Sequence, residues 1–475
     1  MGINMHDHPG QIGWLFNRRN FLKRFGLGFG SLSLASLMQP SSAEAASDSE
    51  ATLIGKGALA PQTPHFRTKA KQVVHLFAQG APSQVDTFDP KPALARLDGS
   101  ALPGLSGVAM ASPFKFSRHG DSGIEISEVF PRIAKHADEL CLIRSMQTDI
   151  PAHDVATIFM NTGSARLARP SLGSWVTYGL GTENANMPGF ISLRSGDFPP
   201  GGTQNWQSAF LPGVYQGTSV NTRAATADQM IQNIRNTSLG LKEQRRQLDL
   251  VHQLDAARGI NPSADSALET RLEAMEIAFR MQAEASDAFD VSKESQATRA
   301  LYGDTPQGRQ MLITRRLIER GVRFVQAWFV GWDHHQDLQE RLSQKAFEMD
   351  QPVAAFLEDL KQRGLLESTL VVWGGEFGRK PTRQQGVGES AGRDHNHKGF
   401  TSWMAGGGVK RGFVYGATDD FGNASVQDPV HVHDLHATIL HCLGFDHTRL
   451  TFRHNGRDFR LTDVHGDVVK GVLES

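Results

Sequence analysis

The chain has 475 residues, 39% of them apolar and 21% charged, a globular composition that excludes disordered, collagen-like and disulfide-scaffold proteins. Lys and Arg number 49 against 50 Asp and Glu, for a net charge of -1, and no long basic run or basic–aromatic stripe is present. A protein that tracks a nucleic-acid backbone is thereby excluded. Cys141 and Cys442 both sit in apolar runs and read as buried small hydrophobes, not as a zinc cage, a redox pair or a disulfide framework.

Residues 1–46 read as a removable segment. Asn17-Arg18-Arg19-Asn20-Phe21-Leu22-Lys23 resembles the twin-arginine export signal, a glycine-rich apolar stretch follows from Phe25 to Met38, and Ser42-Ala43-Glu44-Ala45-Ala46 offers a small-residue cleavage site. The apolar stretch is shorter than the roughly 20 residues of a bilayer span, so no stable membrane span is expected. The implied transient partner is the twin-arginine translocase, and the implied location is the periplasm or the cell exterior. That route carries folded chains, which agrees with the lack of a disulfide framework.

Residues 47–70, rich in Ala, Pro, Thr and Gly, form a lead-in to one domain over 71–470. Lys71 to Ala78 reads as a buried strand that stops at Gln79-Gly80-Ala81-Pro82, and the loop beyond such a strand is where open α/β sheets place their chemistry. Residues 128–139 have helical spacing and feed a strand at Leu140–Arg144. A further helix is predicted from Ala152 to Thr162, stopped by Gly163, with His153 and Asp154 in its first turn. Residues 171–181 read as a short helix, 187–235 are turn-rich, and 238–300 carry helical periodicity among many charges, as in a helical insertion packed on the main sheet. The last third alternates strand (Arg323–Val330), helix (Gln344–Gly364), strand (Thr369–Trp373), strand (Phe400–Ala405) and helix (Val432–Leu443). This is the pattern of parallel crossover units and implies an α/β fold with a mostly parallel sheet flanked by helices.

Eleven of the 19 histidines fall between His334 and His465, several directly after predicted strands and beside carboxylates. Three clusters result: Asp333-His334-His335, Glu376-Phe377-Gly378-Arg379, and Asp394-His395-Asn396-His397-Lys398. Their convergence on one rim of the sheet would make a site for a divalent metal such as zinc or manganese, because carboxylate and imidazole without thiolate suit borderline to hard ions. Arg379, as a bidentate fork, and Lys398, as a point charge, would bind an anion. His431, His433, His436 and His441 lie in a mostly apolar segment that reads as scaffold.

The run Ala346 to Glu376, with its helix, Gly364-Leu-Leu-Glu-Ser-Thr369 turn and strand, resembles the sulfatase and alkaline-phosphatase-like superfamily, as does the late helix His433-Asp434-Leu-His-Ala-Thr438. More narrowly, the Trp-Asp-x-His, Glu-Phe-Gly-Arg and Asp-His clusters resemble the domain of unknown function 1501 family. The resemblance implies an alkaline-phosphatase-like core and one or two divalent ions. Asp333, His335, Glu376, Asp394 and His395 are the implied metal ligands, and Arg379 and Lys398 the implied substrate contacts. The superfamily's first strand ends in an aspartate ligand, but here Gln79-Gly80 stands there, with Asp86 and Asp89 further on. The slot of the sulfatase nucleophile holds His153, with no cysteine near it, which rules out formylglycine chemistry. His153 offers a covalent nucleophile, a metal ligand or a general base, or it merely caps and packs. Two functions are implied: a metal-dependent hydrolase of phosphate or sulfate esters, or a noncatalytic metal-containing envelope protein that binds anionic polysaccharide.

Overall fold

A strand that is apolar on both faces must be covered on both, and β1 (Gln72–Gln79) is: Val73, Val74, Leu76, Phe77 and Ala78 are fully buried. The computed structural model of the protein describes residues 57–474 apart from 233, 237, 258–265 and 385–390. The expected export segment lies outside the described residues.

After β1 come β2 (Leu140–Gln147), β3 (Phe190–Arg194), β4 (Thr218–Asn221), β5 (Phe324–Val330) and β6 (Thr369–Gly374). A hairpin of β7 (Gly378–Arg383) and β8 (Arg393–Asn396) follows, then β9 (Phe400–Ala405), β10 (Phe413–Tyr415) and β11 (Val430–His431). Nine of these build one sheet in the order β10-β2-β9-β6-β1-β5-β3-β4, with β11 also beside β2. Every pairing in it is parallel except those of β9, which runs antiparallel to both neighbours.

The exception has a topological cause. A parallel connection needs a crossover of a dozen or more residues, usually helical. Between β6 and β9 the chain instead folds the β7–β8 hairpin over the sheet's carboxyl rim and re-enters from the end it left, so β9 must run backwards. That same detour carries Arg379 and His395 over the rim as facing partners in the hairpin register.

The longer helices among the described residues are α1 (His153–Thr162), α2 (Leu172–Leu180), α3 (Leu241–Ala257), α4 (Ser266–Ala288), α5 (Gln296–Tyr302), α6 (Pro306–Glu319), α7 (Leu338–Gln362) and α8 (Val432–Cys442). Alternation along β1 divides the core. Val74, Leu76 and Ala78 pack with Met311 and Leu312 of α6 and with Met349 and Phe356 of α7. Val73 and Phe77 pack on the other face with Met160 of α1, Trp175 of α2, and Leu435 and Ile439 of α8. Helices α3 and α4 share a small cluster, Leu248, Val251, Leu272, Met275 and Ala278, and α4 joins the main core through Met281, Ala285 and Ala288.

Three local expectations change. Residues 128–139 form a 3-10 helix, Ile133–Glu139, broken at His136. Pro131 precedes it, and the free amides of Arg132 and Ile133 are capped by the Asp350 carboxylate of α7, a partner 217 residues away for Ile133. Helix α7 begins at Leu338, before the expected Gln344, because Leu338, Leu342 and Ala346 extend the buried stripe. The turn-rich stretch 187–235 hides β3 and β4, whose five and four residues are too short to show a period.

Three of the buried histidines, His75, His433 and His436, lie on the α1–α8 side of the sheet. Burial holds the His75 pKa at about 4. Burial, reinforced by neighbouring histidines, holds His433 at about 4 and His436 at about 3. All are neutral when folded, whereas the unfolded chain takes up protons near pH 6.5. The unfolded state therefore binds more protons between about pH 6.5 and 4, and stability falls as pH drops through that window. The thermal midpoint should fall by several degrees between pH 7 and pH 4.5, and a flat profile would contradict the assignment.

Candidate metal centre

Four side chains converge at the carboxyl rim. The loop after β5 supplies Asp333 and His335, β8 supplies His395, and the first turn of α1 supplies His153; one ligand atom from each lies within 4.8 Å of all the others. Asp333 Oδ1 is the focus, 3.1 Å from His153 Nε2, 2.9 Å from His335 Nε2 and 3.7 Å from His395 Nε2. The His335 and His395 Nε2 atoms are 3.0 Å apart.

Each imidazole has its other nitrogen held from behind. His153 Nδ1 lies 2.5 Å from Glu376 Oε1, His335 Nδ1 2.6 Å from Gln384 Oε1, and His395 Nδ1 2.8 Å from the Pro151 carbonyl oxygen. A carbonyl only accepts, so His395 Nδ1 carries the proton and its Nε2 presents a lone pair. With His335 Nδ1 donating to Gln384, two lone pairs face one another at 3.0 Å, which is repulsive without a positive charge between them. His153 Nε2 is buried and out of line for a hydrogen bond to Asp333, so it has no hydrogen-bond partner. Three imidazoles oriented by acceptors, together with one carboxylate, form a donor set for a borderline divalent ion such as zinc.

Electrostatics agree with this focus. Burial works against a charge on His153, but Asp333 and Glu376 outweigh it and raise the pKa to about 9. Burial likewise opposes ionisation of Asp333, yet His153, His395 and Arg379 hold it far below the usual carboxylate range. The cluster is thus built around one positive charge, which a proton or a cation can supply.

The other expected site residues lie around this group in different places. Glu376 is fully buried behind His153, accepts both of its backbone contacts from the Gly80 amide at 2.9 and 3.2 Å, and stands outside the four-residue cluster. Arg379 is fully buried too. It donates to the Ala81 and Gly80 carbonyls, to the Arg393 carbonyl and to Asp333 Oδ1, and its Nη1 lies 3.4 Å from His335 Nε2, so its fork is occupied by the protein. Asp394 pairs with Lys380 at 2.7 Å on the outer side of the hairpin, because neighbouring residues of a strand point opposite ways. Lys398 is exposed beyond β8 and is not among the four converging residues.

Neither aspartate after the first strand reaches the cluster. Asp86 is buried in a two-point pair with Arg393, at 2.7 and 3.0 Å, and Asp89 is taken by Lys91, Arg144 and Thr418. Gly80 fills the place expected for an aspartate. Its φ is +109°, and a Cβ there would come within 2.6 Å of the Asp333 amide nitrogen. Both cysteines are buried and free, and burial pushes each thiol up to about 12. His334 points inward and is held at about 4 by burial. Sequence reasoning did not find Gln384 or the Pro151 carbonyl as supports, since neither bears a motif. Of the late histidines, His431 and His465 border a separate cleft of about 520 Å³ with Arg460 and Asp434.

Residues 70–473 match the model of a family described as "Protein of unknown function (DUF1501)". No curated protein matches the chain. Among solved structures, the PsFucS1 sulfatase from Pseudoalteromonas sp. aligns at 12% identity over 91% of this chain and 73% of its own, with a TM-score of 0.34. The lipoteichoic acid synthase LtaP from Listeria monocytogenes aligns at 8% identity over 84% and 78%, with a TM-score of 0.34. The alkaline phosphatase of the Antarctic bacterium TAB5 aligns at 11% over 71% and 92%, with a TM-score of 0.30. Likeness at this level says nothing of activity.

Glu376→Gln should show how far the cluster depends on its support. A glutamine cannot accept from both the Gly80 amide and His153 without burying its own NH₂ against a donor. Affinity for zinc should fall about 10- to 100-fold, with the fold retained by circular dichroism. Unchanged affinity would remove Glu376 from the site.

Proposed function

The chain belongs to the DUF1501 family, and we propose that this protein is a metal-dependent hydrolase of phosphate or sulfate esters built around one divalent ion. The observation that carries the reading is the convergence of three acceptor-held imidazoles on Asp333 Oδ1, with the Nε2 atoms of His335 and His395 3.0 Å apart. His153, Asp333, His335 and His395 would hold the ion. When bound, it supplies Lewis-acid charge for an anionic ester oxygen and lowers the pKa of water at the site.

The chain's own residues do the positioning. Glu376 fixes the His153 ring with Nδ1 toward itself and Nε2 toward the cluster, an orientation that suits a metal ligand. Arg379 holds Asp333 ionised and in place from beneath. Phe377 packs against the rings of His153 and His395 in tilted contacts, with centroids 4.7 and 4.8 Å apart, and covers one side of the cluster. With both cysteines buried elsewhere and a histidine in the nucleophile slot, the reading assigns the attack to water. A single displacement of that kind inverts configuration at phosphorus or sulfur.

We further propose export by the twin-arginine route to the periplasm or cell exterior, with removal near Ala46, supported by residues 17–23 and by the free cysteines. No helix of the described residues is long and apolar enough to cross a membrane. The domain we propose runs over 71–470, with residues 238–300 as its helical insertion.

The full chain should contain about one equivalent of zinc or manganese by elemental analysis. Asp333→Ala and His395→Ala should each lose it, and the parent should cleave aryl phosphate or aryl sulfate with inversion. A parent that takes up no metal on reloading overturns the reading. Retained metal without turnover on both ester classes would point instead to an envelope protein that binds anionic polysaccharide.

A further inference from the structure

A second cleft, of about 230 Å³, opens at the same carboxyl rim, on the α6–α7 side of the sheet. Its floor is Phe329, Val330 and Trp332, at and just beyond the end of β5, and Arg223, Lys345 and Glu348 stand at its walls. Val330 is 42% exposed, unusual for an apolar residue ending a central strand, whereas Trp332 is buried beneath. Lys345 lays its stem along Gly331, where φ is +97° and a Cβ would come within 3.0 Å of Lys345 Cε. Its ammonium is shared with Glu348 at 2.8 Å. Arg223 is exposed and has no carboxylate partner among the described residues.

Val330 and Asp333 are three positions apart in the chain, so their Cα atoms are no more than about 11 Å apart. The cleft and the metal cluster therefore share one loop, with Asp333 directed to one side of it and Trp332 to the other. Two cations against one carboxylate give the cleft a net positive charge, and its apolar floor suits the face of a sugar ring. We propose that this cleft is a subsite for a second anionic group of the substrate, with Arg223 and Lys345 as its contacts. The substrate class is then a saccharide bearing at least two sulfate or phosphate groups, not a lone monoester. The inference rests on the ester-hydrolase reading of the neighbouring cluster.

The test is calorimetric titration of the zinc-loaded full chain with a sulfated dextran hexasaccharide, neutral dextran hexasaccharide serving as control, and metal content measured on the same samples. The parent should bind only the sulfated probe. Arg223→Ala should weaken binding about tenfold or more, with metal content unchanged. Glu348→Gln, which frees Lys345, should strengthen it about two- to fivefold, an effect that misfolding would not produce. Equal binding by parent and Arg223→Ala, or no binding by a metal-loaded parent, overturns the subsite while leaving the cluster's reading intact. Loss of metal in the parent alone would overturn the cluster's reading instead, because the cleft contains none of the four ligands.

Discussion

The site depends on a two-residue turn, Gly80-Ala81, that ends the central strand. The Gly80 amide binds the carboxylate of Glu376, and the Gly80 and Ala81 carbonyls bind the guanidinium of Arg379. One backbone turn thus anchors both a buried anion and a buried cation, and each passes its position to a cluster member: Glu376 to His153, Arg379 to Asp333. Burying charges without full compensation is expensive, and removal of one partner of such a pair typically costs about 3–5 kcal/mol. Backbone groups are good anchors here because the sheet already fixes them, so little conformational entropy is lost in ordering them.

The turn also explains why an aspartate is missing there. The amides of Gly331 and Trp332 both donate to the Gln79 carbonyl, drawing the β5 loop across the end of β1. With the Asp333 backbone that close, any side chain at residue 80 would collide with it. The space in which another acidic ligand would stand is filled by the loop that delivers Asp333. Asp86, the nearest alternative, is committed to Arg393 in a fully buried pair. Arg393 in turn fixes the strand that presents His395 two residues on. Asp86 thus holds the strand that carries His395 and does not join the cluster.

The reversed strand β9 is part of the same arrangement. Had the chain crossed over helically after β6, residues 378–396 would lie along a face of the sheet and His395 would be far from Asp333. Because they form a hairpin on the rim, Arg379 reaches down to the turn while His395 reaches across to His335. The candidate site is assembled by a departure from the regular parallel pattern, a common location for chemistry in otherwise consistent folds.

Much of this was legible in the sequence, because short-range physics is local. Buried strands at 72–79, 324–330 and 369–374, helices at 153–162 and 432–442, and the clusters at 333–335 and 393–398 follow from apolar period, glycine stops and residue type alone. The resemblance also named Asp333, His335 and His395 as implied ligands, and the structure brings the three together. That resemblance left the role of His153 open, gave Glu376 and Asp394 as further implied ligands, which stand outside the four-residue cluster, and gave Arg379 and Lys398 as implied substrate contacts. Those roles depend on which way a side chain points and on what lies behind it, and both are set by partners tens to hundreds of residues away. Only the tertiary structure puts the Gly80 turn under Glu376 and Arg379, turns Asp394 out to Lys380, and brings Gln384 and Pro151 to the backs of two histidines. Composition and period determine what must be buried, whereas the packing of the whole chain decides which buried charge meets which.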